Sequence, residues 1–247
     1  MSAEAINIAV AQSSVSKGES LKDTLLTVQA LKADCIVLRH SSSGAAQFAA
    51  EHLGIPVVNA GDGRHEHPTQ GLLDMMTIRH HKKDLQGLTV AIVGDVLHSR
   101  VARSNLWGLT RMGANVRFVG PRTLLPPDAD RLPVQVFDDL RAGLEGVDVV
   151  NVLRLQTERM EKGLLPSLRE YSRLFGITVN SLKAAKPDAL ILHPGPMNRG
   201  VEISADVADG AYGMHSAVEE QVTNGVAVRM AVLYVLMGGN GTPTPEA

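Results

Sequence analysis

The chain has 247 residues, 44% of them hydrophobic and 20% charged. That ordinary globular balance excludes a disordered chain and allows one large domain or two small ones. Lys and Arg number 24 against 26 Asp and Glu, for a formal net charge of -2, and aromatics are only 3%; neither a basic nucleic-acid surface nor a base-stacking platform is expected. The single cysteine, Cys35, excludes an internal disulfide and a Cys-rich zinc site, and it fits a reducing, cytoplasmic setting.

Short apolar runs alternate with amphipathic ones along the chain. Residues 7–12 (NIAVAQ) predict a strand, and 21–31 a helix with Leu21, Leu25, Val28 and Leu31 at helical spacing. A strand at 35–38, a helix at 44–53, a short strand at 57–59 and a longer helix at 67–81 follow. After a polar break at 82–87 the rhythm restarts with a strand at 89–93 and a helix at 99–112. Strands at 115–119 and 134–137, a short helix at 138–144 and a strand at 148–152 come next. The last strong strand is 189–193, and a helix at 217–237 closes the chain before a tail rich in Gly, Pro and Thr. Residues 1–14 lack a basic start followed by an apolar run. The most apolar stretch, 225–239, is shorter than the roughly 20 residues of a membrane span and carries Arg229. A soluble protein without membrane contact is expected.

Strands alternating with helices predict α/β layers with parallel sheets. The strands read as continuous apolar runs, as when both sheet faces are covered. In such folds ligands sit beyond the carboxyl ends of the strands. Those ends carry residues 12–17, 39–43, 61–67, 94–100, 154–159 and 193–199. Most hold an arginine, and the first holds Lys17. In a nearly neutral chain this clustering predicts a local anion site; solvated loop arginines are the alternative.

Four segments carry the chemistry. In GDGRHEHPTQGLLD (61–74), Pro68 suits the first turn of a helix, and Thr69 and Gln70 are expected to expose polar groups at its start. His67 can donate to a carbonyl oxygen as charge develops there, or serve only as a capped structural histidine. His65 and His67 form a lone H-x-H, weak as a metal site without a third ligand. In VGDVLHSRVAR (93–103) the G-x-G-x-x-G dinucleotide pattern is absent, and Arg100 near a helix start suits a carboxylate or phosphate. In NVLRLQTERME (151–161), Arg154 and Gln156 share a face of an extended segment and could grip a dicarboxylate; a surface loop paired with Glu158 or Glu161 is the alternative. In HPGPMNR (193–199) two prolines and a glycine hold a rigid turn able to aim carbonyl oxygens at an ammonium group, or simply an ordinary crossover loop.

Taken together and in register from about residue 6 to 237, these segments resemble the aspartate carbamoyltransferases. GDGRHEHPTQGLLD resembles the family's central motif, SSVSKGES its mobile loop, LRLQTER its aspartate-binding loop and HPGPMNRGVEI its late proline-rich turn. The sibling ornithine carbamoyltransferases typically carry a cysteine in the late turn and a Ser-Met-Gly loop, where this chain has Gly195 and RLQ. Arg100 and Arg154 would also repel ornithine's side-chain ammonium.

The resemblance implies two doubly wound parallel-sheet domains joined by a long helix. Residues 1–82 would form the carbamoyl-phosphate-binding domain, completed by helix 217–237, and 83–216 the aspartate-binding domain. It implies carbamoyl transfer from carbamoyl phosphate to the α-amine of L-aspartate, an early step of pyrimidine synthesis, with no metal or organic cofactor. Arg39 and His67 would polarise the carbamoyl oxygen and Gln70 would hold the carbamoyl amide. Ser13 and Lys17 would reach a neighbouring subunit's site, Ser13 to phosphate and Lys17 to both substrates. Arg100, Arg154 and Gln156 would bind aspartate, and Arg159 would orient their loop. Backbone groups of Gly195 and Pro196 would position the carbamoyl nitrogen and the amine. A cytoplasmic homotrimer is implied, and a regulatory chain or a dihydroorotase partner stays open.

The sequence departs from the family in one respect. The Ser-Thr-Arg-Thr-Arg phosphate motif expected upstream of residues 7–12 is absent, together with the first helix and strand. The expectation is therefore a first domain with an unpaired sheet edge and an exposed apolar face. Either the sequence belongs to a longer enzyme, or the chain is a non-catalytic subunit acting in assembly, or it serves another carbamoyl acceptor.

Overall fold

A computed structural model describes residues 4–8, 20–155 and 164–238. Strand β1 (Ile36–His40) pairs in parallel with β2 (Val57–Asp62) in a two-stranded sheet. Helix α1 (Leu21–Ala30) begins at Ser20, whose hydroxyl accepts from the Asp23 N–H, a typical N-cap. Leu25, Ile36, Ala49 and Leu53 form the core beneath α1 and α2 (Ala45–His52). Inward residues alternate with outward ones along β1, and Val37 is exposed. The expectation of coverage on both faces fails for this strand because, among the described residues, the helices packed against it bury only the face of Ile36 and Leu38.

The second sheet has six parallel strands in the order β5-β4-β3-β6-β7-β8. They are β3 (Thr89–Val93), β4 (Asn115–Val119), β5 (Gln135–Phe137), β6 (Val149–Val152), β7 (Leu190–Leu192) and β8 (His215–Ser216). Its central strands are buried except for Thr89 at the start of β3. Val90 and Ile92 face a cluster with Ile78, Leu106 and Phe118, whereas Ala91 and Val93 face Leu144, Tyr171 and Ile203. The continuous apolar runs therefore reflect burial on both faces, as read from the sequence.

Helix α3 (Pro68–Lys82) leads from the first sheet to the second. It packs on α4 (Arg100–Arg111), which Ser99 caps through the Ala102 N–H. It also packs on the closing helix α8 (Val218–Leu236), where Asn224 Nδ2 donates to Thr77 Oγ1 at 2.9 Å and Glu220 meets His80 and His81. Val222, Val226, Met230 and Tyr234, at fourfold spacing on α8, are exposed. Among the described residues no helix is long and apolar enough to cross a membrane.

Most expected elements are present within two or three residues. Asn7 and Ile8 are not in a strand, and the remainder of 7–12 lies outside the described residues. The strand expected at 57–59 continues to Asp62, because His40 pairs with Asp62 beyond a register shift. The helix expected from 138 starts at Leu140, after Asp139 caps it by accepting from the Ala142 N–H, and is labelled α5 (Leu140–Leu144). The sequence reading missed α6 (Leu168–Phe175), the one-turn α7 (Ala205–Ala208) and β8.

Candidate active site

The carboxyl ends of β1, β2, β3, β6 and β7 bring most of the expected segments to one region. Buried Asp62 closes β2. Its carboxylate accepts from Gly44 N at 2.6 Å, Asn59 Nδ2 at 2.8 Å, His65 Nδ1 at 3.1 Å and Glu66 N at 3.1 Å. Burial alone would raise its pKa, but these bonds outweigh burial and hold the carboxyl below its usual range. His65 is thereby used in holding the loop.

This loop delivers His67 to the N-cap of α3, with Pro68 at the first helical position. The His67 N–H donates to Ser104 Oγ at 2.9 Å, and the Ser104 hydroxyl donates to the Glu66 carboxylate. The imidazole Nδ1 is buried and has no hydrogen-bond partner among the described residues. Burial, followed by the positive charges of Arg100, Arg229 and Arg39, lowers the imidazole pKa to about 4. His67 is therefore neutral near pH 7, with one ring N–H to donate and guanidinium groups close enough to act on it.

Arg100, the first residue of α4, is buried against Gly61. Gly61 has φ of 112°, and a Cβ there would lie 2.5 Å from Arg100 Cζ. A glycine is needed both for the backbone angle and for the guanidinium's room. Arg39, one residue before the end of β1, is exposed. Arg154 directly follows Leu153, whose N–H donates to the last residue of β3, so the ends of β6 and β3 are adjacent.

Thr69 and Gln70 are buried rather than exposed as expected, because α4 and α8 both pack against α3. Gln70 Nε2 donates to Asp74 Oδ1 at 2.9 Å, which fixes the amide orientation and leaves its carbonyl oxygen to accept. In the late turn, buried His193 Nδ1 accepts from Gly195 N at 2.9 Å. Its Nε2 therefore carries the proton and donates to Glu202 Oε1 at 3.2 Å. Asn198 N donates to the same oxygen, and Asn198 Nδ2 donates to Leu155 O at 3.2 Å. This scaffold presents the cis Gly195–Pro196 peptide at the surface.

Ser13, Lys17, Gln156 and Arg159, with Glu158 and Glu161, lie outside the described residues. Arg199 is turned to Asp209 on the surface, at 2.7 Å. The sequence reading missed two residues. One is Arg229 of α8, whose charge acts on His67; a lone cation inside an apolar helix was its signal. The other is Asp74, an acid four residues after Gln70 on a buried helix face.

Comparison with known proteins agrees with this layout. A family model described as the carbamoyl-P binding domain of aspartate/ornithine carbamoyltransferase matches residues 1–80. Its companion, the Asp/Orn binding domain, matches residues 86–236. The chain is 62% identical to the aspartate carbamoyltransferase catalytic subunit of Heliobacterium modesticaldum over 98% of this chain and 77% of that protein. It is 60% identical to that of Desulforamulus reducens, over 97% and 76%. Among solved structures, aspartate transcarbamoylase from Trypanosoma cruzi in complex with N-(phosphonacetyl)-L-aspartic acid superposes with a TM-score of 0.81 at 29% identity, covering 94% of this chain and 75% of that one. Ornithine carbamoyltransferase from Pyrococcus furiosus gives 0.76 at 27%, covering 91% and 72%. With both domain models matched in order and identity of 60% or more to catalytic subunits, the chain belongs to the aspartate/ornithine carbamoyltransferase family, on its aspartate carbamoyltransferase branch.

Proposed function

We infer that this chain transfers the carbamoyl group of carbamoyl phosphate to the α-amine of L-aspartate, giving N-carbamoyl-L-aspartate and phosphate, an early step of pyrimidine synthesis. The observation that carries the inference is a neutral His67 held among the charges of Arg100, Arg229 and Arg39, in a chain so similar to aspartate carbamoyltransferase catalytic subunits. An anionic substrate with a polarisable carbonyl suits that arrangement.

In the reaction the deprotonated α-amine attacks the carbamoyl carbon. A C–N bond forms, and the C–O bond to phosphate breaks with its electron pair leaving on phosphate, which takes the proton the nitrogen loses. We assign Arg39 and His67 to the carbamoyl oxygen. The Gln70 carbonyl oxygen, turned away from Asp74 by the Nε2 bond, supports its role toward the carbamoyl N–H groups. Arg100 and Arg154 are assigned to the carboxylates of aspartate, and the backbone of Gly195 and Pro196 to the carbamoyl nitrogen and the amine. Ser13, Lys17, Gln156 and Arg159 keep the roles the family resemblance gives them. Positioning and charge stabilisation supply the catalysis.

The same reading divides the chain into a carbamoyl-phosphate domain at 1–82 joined by helix 217–237, and an aspartate domain at 83–216. The packing of α8 on α3 supports that division. It also makes the protein a cytoplasmic homotrimer. The experiment is product formation from carbamoyl phosphate with aspartate or ornithine as acceptor. Aspartate alone should be carbamoylated; turnover of ornithine in its place overturns the assignment.

A further inference from the structure

Asp74 is fully buried on α3, and four side-chain amides donate to its carboxylate. The two oxygens divide them. Oδ2 accepts from Asn105 Nδ2 of α4 at 2.7 Å and Asn151 Nδ2 of β6 at 3.4 Å. Oδ1 accepts from Gln70 Nε2 at 2.9 Å and Gln221 Nε2 of α8 at 2.7 Å. One pair thus anchors the carboxylate to the second domain's framework. The other pair consists of two buried glutamines on different helices, Gln70 on α3 and Gln221 on α8.

Each glutamine is an arm to a different part of the site. With Nε2 held by Asp74, Gln70 must present its carbonyl oxygen elsewhere. With Nε2 held by the same oxygen, Gln221 aims Oε1 at the backbone N–H of His193, 2.8 Å away. His193 in turn receives the Gly195 N–H. Burial pushes the Asp74 carboxyl pKa up and the four amide bonds oppose that shift; with an N–H from each of four amides aimed at it, both oxygens act as acceptors. Asp74 therefore dictates which way both glutamine amides face, which a neutral partner able to donate and accept would not.

We propose that Asp74 is a positioning residue for the transfer reaction: by accepting from Gln70 and Gln221 on one oxygen, it fixes the Gln70 acceptor and the Gly195–Pro196 turn relative to each other. The proposal rests on the function assigned above. It predicts that the carboxylate affects the kinetics of carbamoyl phosphate without touching it.

The test compares steady-state kinetics and thermal midpoints of the full chain and its variants. Asp74→Leu keeps the approximate volume and removes both acceptor oxygens. It should raise the KM for carbamoyl phosphate about 10-fold and lower kcat about 100-fold, the scale of an ångström misplacement near the reacting atoms. Asp74→Asn keeps one acceptor oxygen but can also donate, so it no longer dictates both glutamine orientations; it should lower kcat less than Asp74→Leu and leave it well below the parent. Gln221→Met cuts only the arm to His193, and should lower kcat more than it raises the KM for carbamoyl phosphate; this variant carries the test if Asp74→Leu does not fold. Asn105→Ala removes one anchor of the carboxylate but leaves both glutamine donors in place, and should lower the thermal midpoint with a much smaller loss of kcat than Asp74→Leu.

Kinetics unchanged in folded Asp74→Leu or in Gln221→Met overturn the positioning role while leaving the function intact. So does an Asn105→Ala variant as impaired as Asp74→Leu, which would reduce the effect to general loosening. A wild-type chain that forms no carbamoyl-aspartate removes the function itself, and the positioning role with it.

Discussion

Ser104 of α4 accepts the backbone N–H of His67 at 2.9 Å. The two residues stand 37 positions apart in sequence, so a helix that follows β3 sets where the last residue of the loop after β2 sits. Gly71 permits this approach, since a Cβ there would lie 3.2 Å from Ser104 Cβ. The placement of His67 is thus a tertiary property rather than a local one.

Ser104→Ala leaves the His67 N–H without its acceptor and the Glu66 carboxylate without its donor. Leaving such groups unsatisfied costs about 1–3 kcal/mol, and denaturant unfolding should show a loss in that range. Because the loop then loses its tether beside His67, kcat should fall as well. A variant as stable and as active as the parent would mean that the hydrogen bond holds nothing in place.

Gly61→Ala strains a backbone with φ of 112° and drives a methyl group into the Arg100 guanidinium. Strain at such an angle costs on the order of 1–3 kcal/mol. The guanidinium must move, so the KM for aspartate should rise more than the KM for carbamoyl phosphate. Equal effects on the two KM values would contradict the assignment of Arg100 to the acceptor.

The pH dependence follows from His67. Its folded pKa is about 4, below the ordinary value of 6.5, because of burial and then of Arg100, Arg229 and Arg39. Between these values the unfolded chain binds more protons than the folded one, so acidification through this window destabilises the fold and raising the pH restores it. Parent and His67→Gln should differ progressively in thermal midpoint as the pH falls below about 6.5. A proton NMR titration of the ring should place its midpoint near 4; a midpoint near 6.5 would remove the cationic, desolvated environment from the account.

Leu106→Ala separates stability from chemistry. Leu106 is fully buried between α4 and the second sheet, in the cluster with Ile92 and Phe118. Truncating a buried leucine costs about 2–5 kcal/mol. The folded variant should keep its KM values, which calorimetry and kinetics on one preparation would check.

Much of this was legible in the sequence. β3 and β4 begin and end where their apolar runs do, and α4 starts after the Ser99 cap, because local pattern and capping decide such elements. The short α7 and β8 escaped notice since two to four residues carry no measurable periodicity. Within the site, His67 and Arg100 could be picked out because each stands at a strand end or helix start. Arg229 showed only as a lone cation in an apolar helix, because its relation to His67 depends on how α8 packs across α3. The exposure expected of Thr69 and Gln70 was wrong for the same reason. Asp74 was hidden most deeply: its partners Gln70, Asn105, Asn151 and Gln221 come from four separate segments, and only the fold brings them together.

The most direct test is the rate of carbamoyl-aspartate formation by His67→Ala beside the parent chain, at saturating carbamoyl phosphate and aspartate. The account predicts a drop in kcat of about 100–1000-fold, the usual effect of losing one preorganised donor to a developing oxyanion, with the fold retained. A folded variant that matches the parent's kcat would show that the carbamoyl oxygen is not polarised at His67, and the site would have to be placed elsewhere.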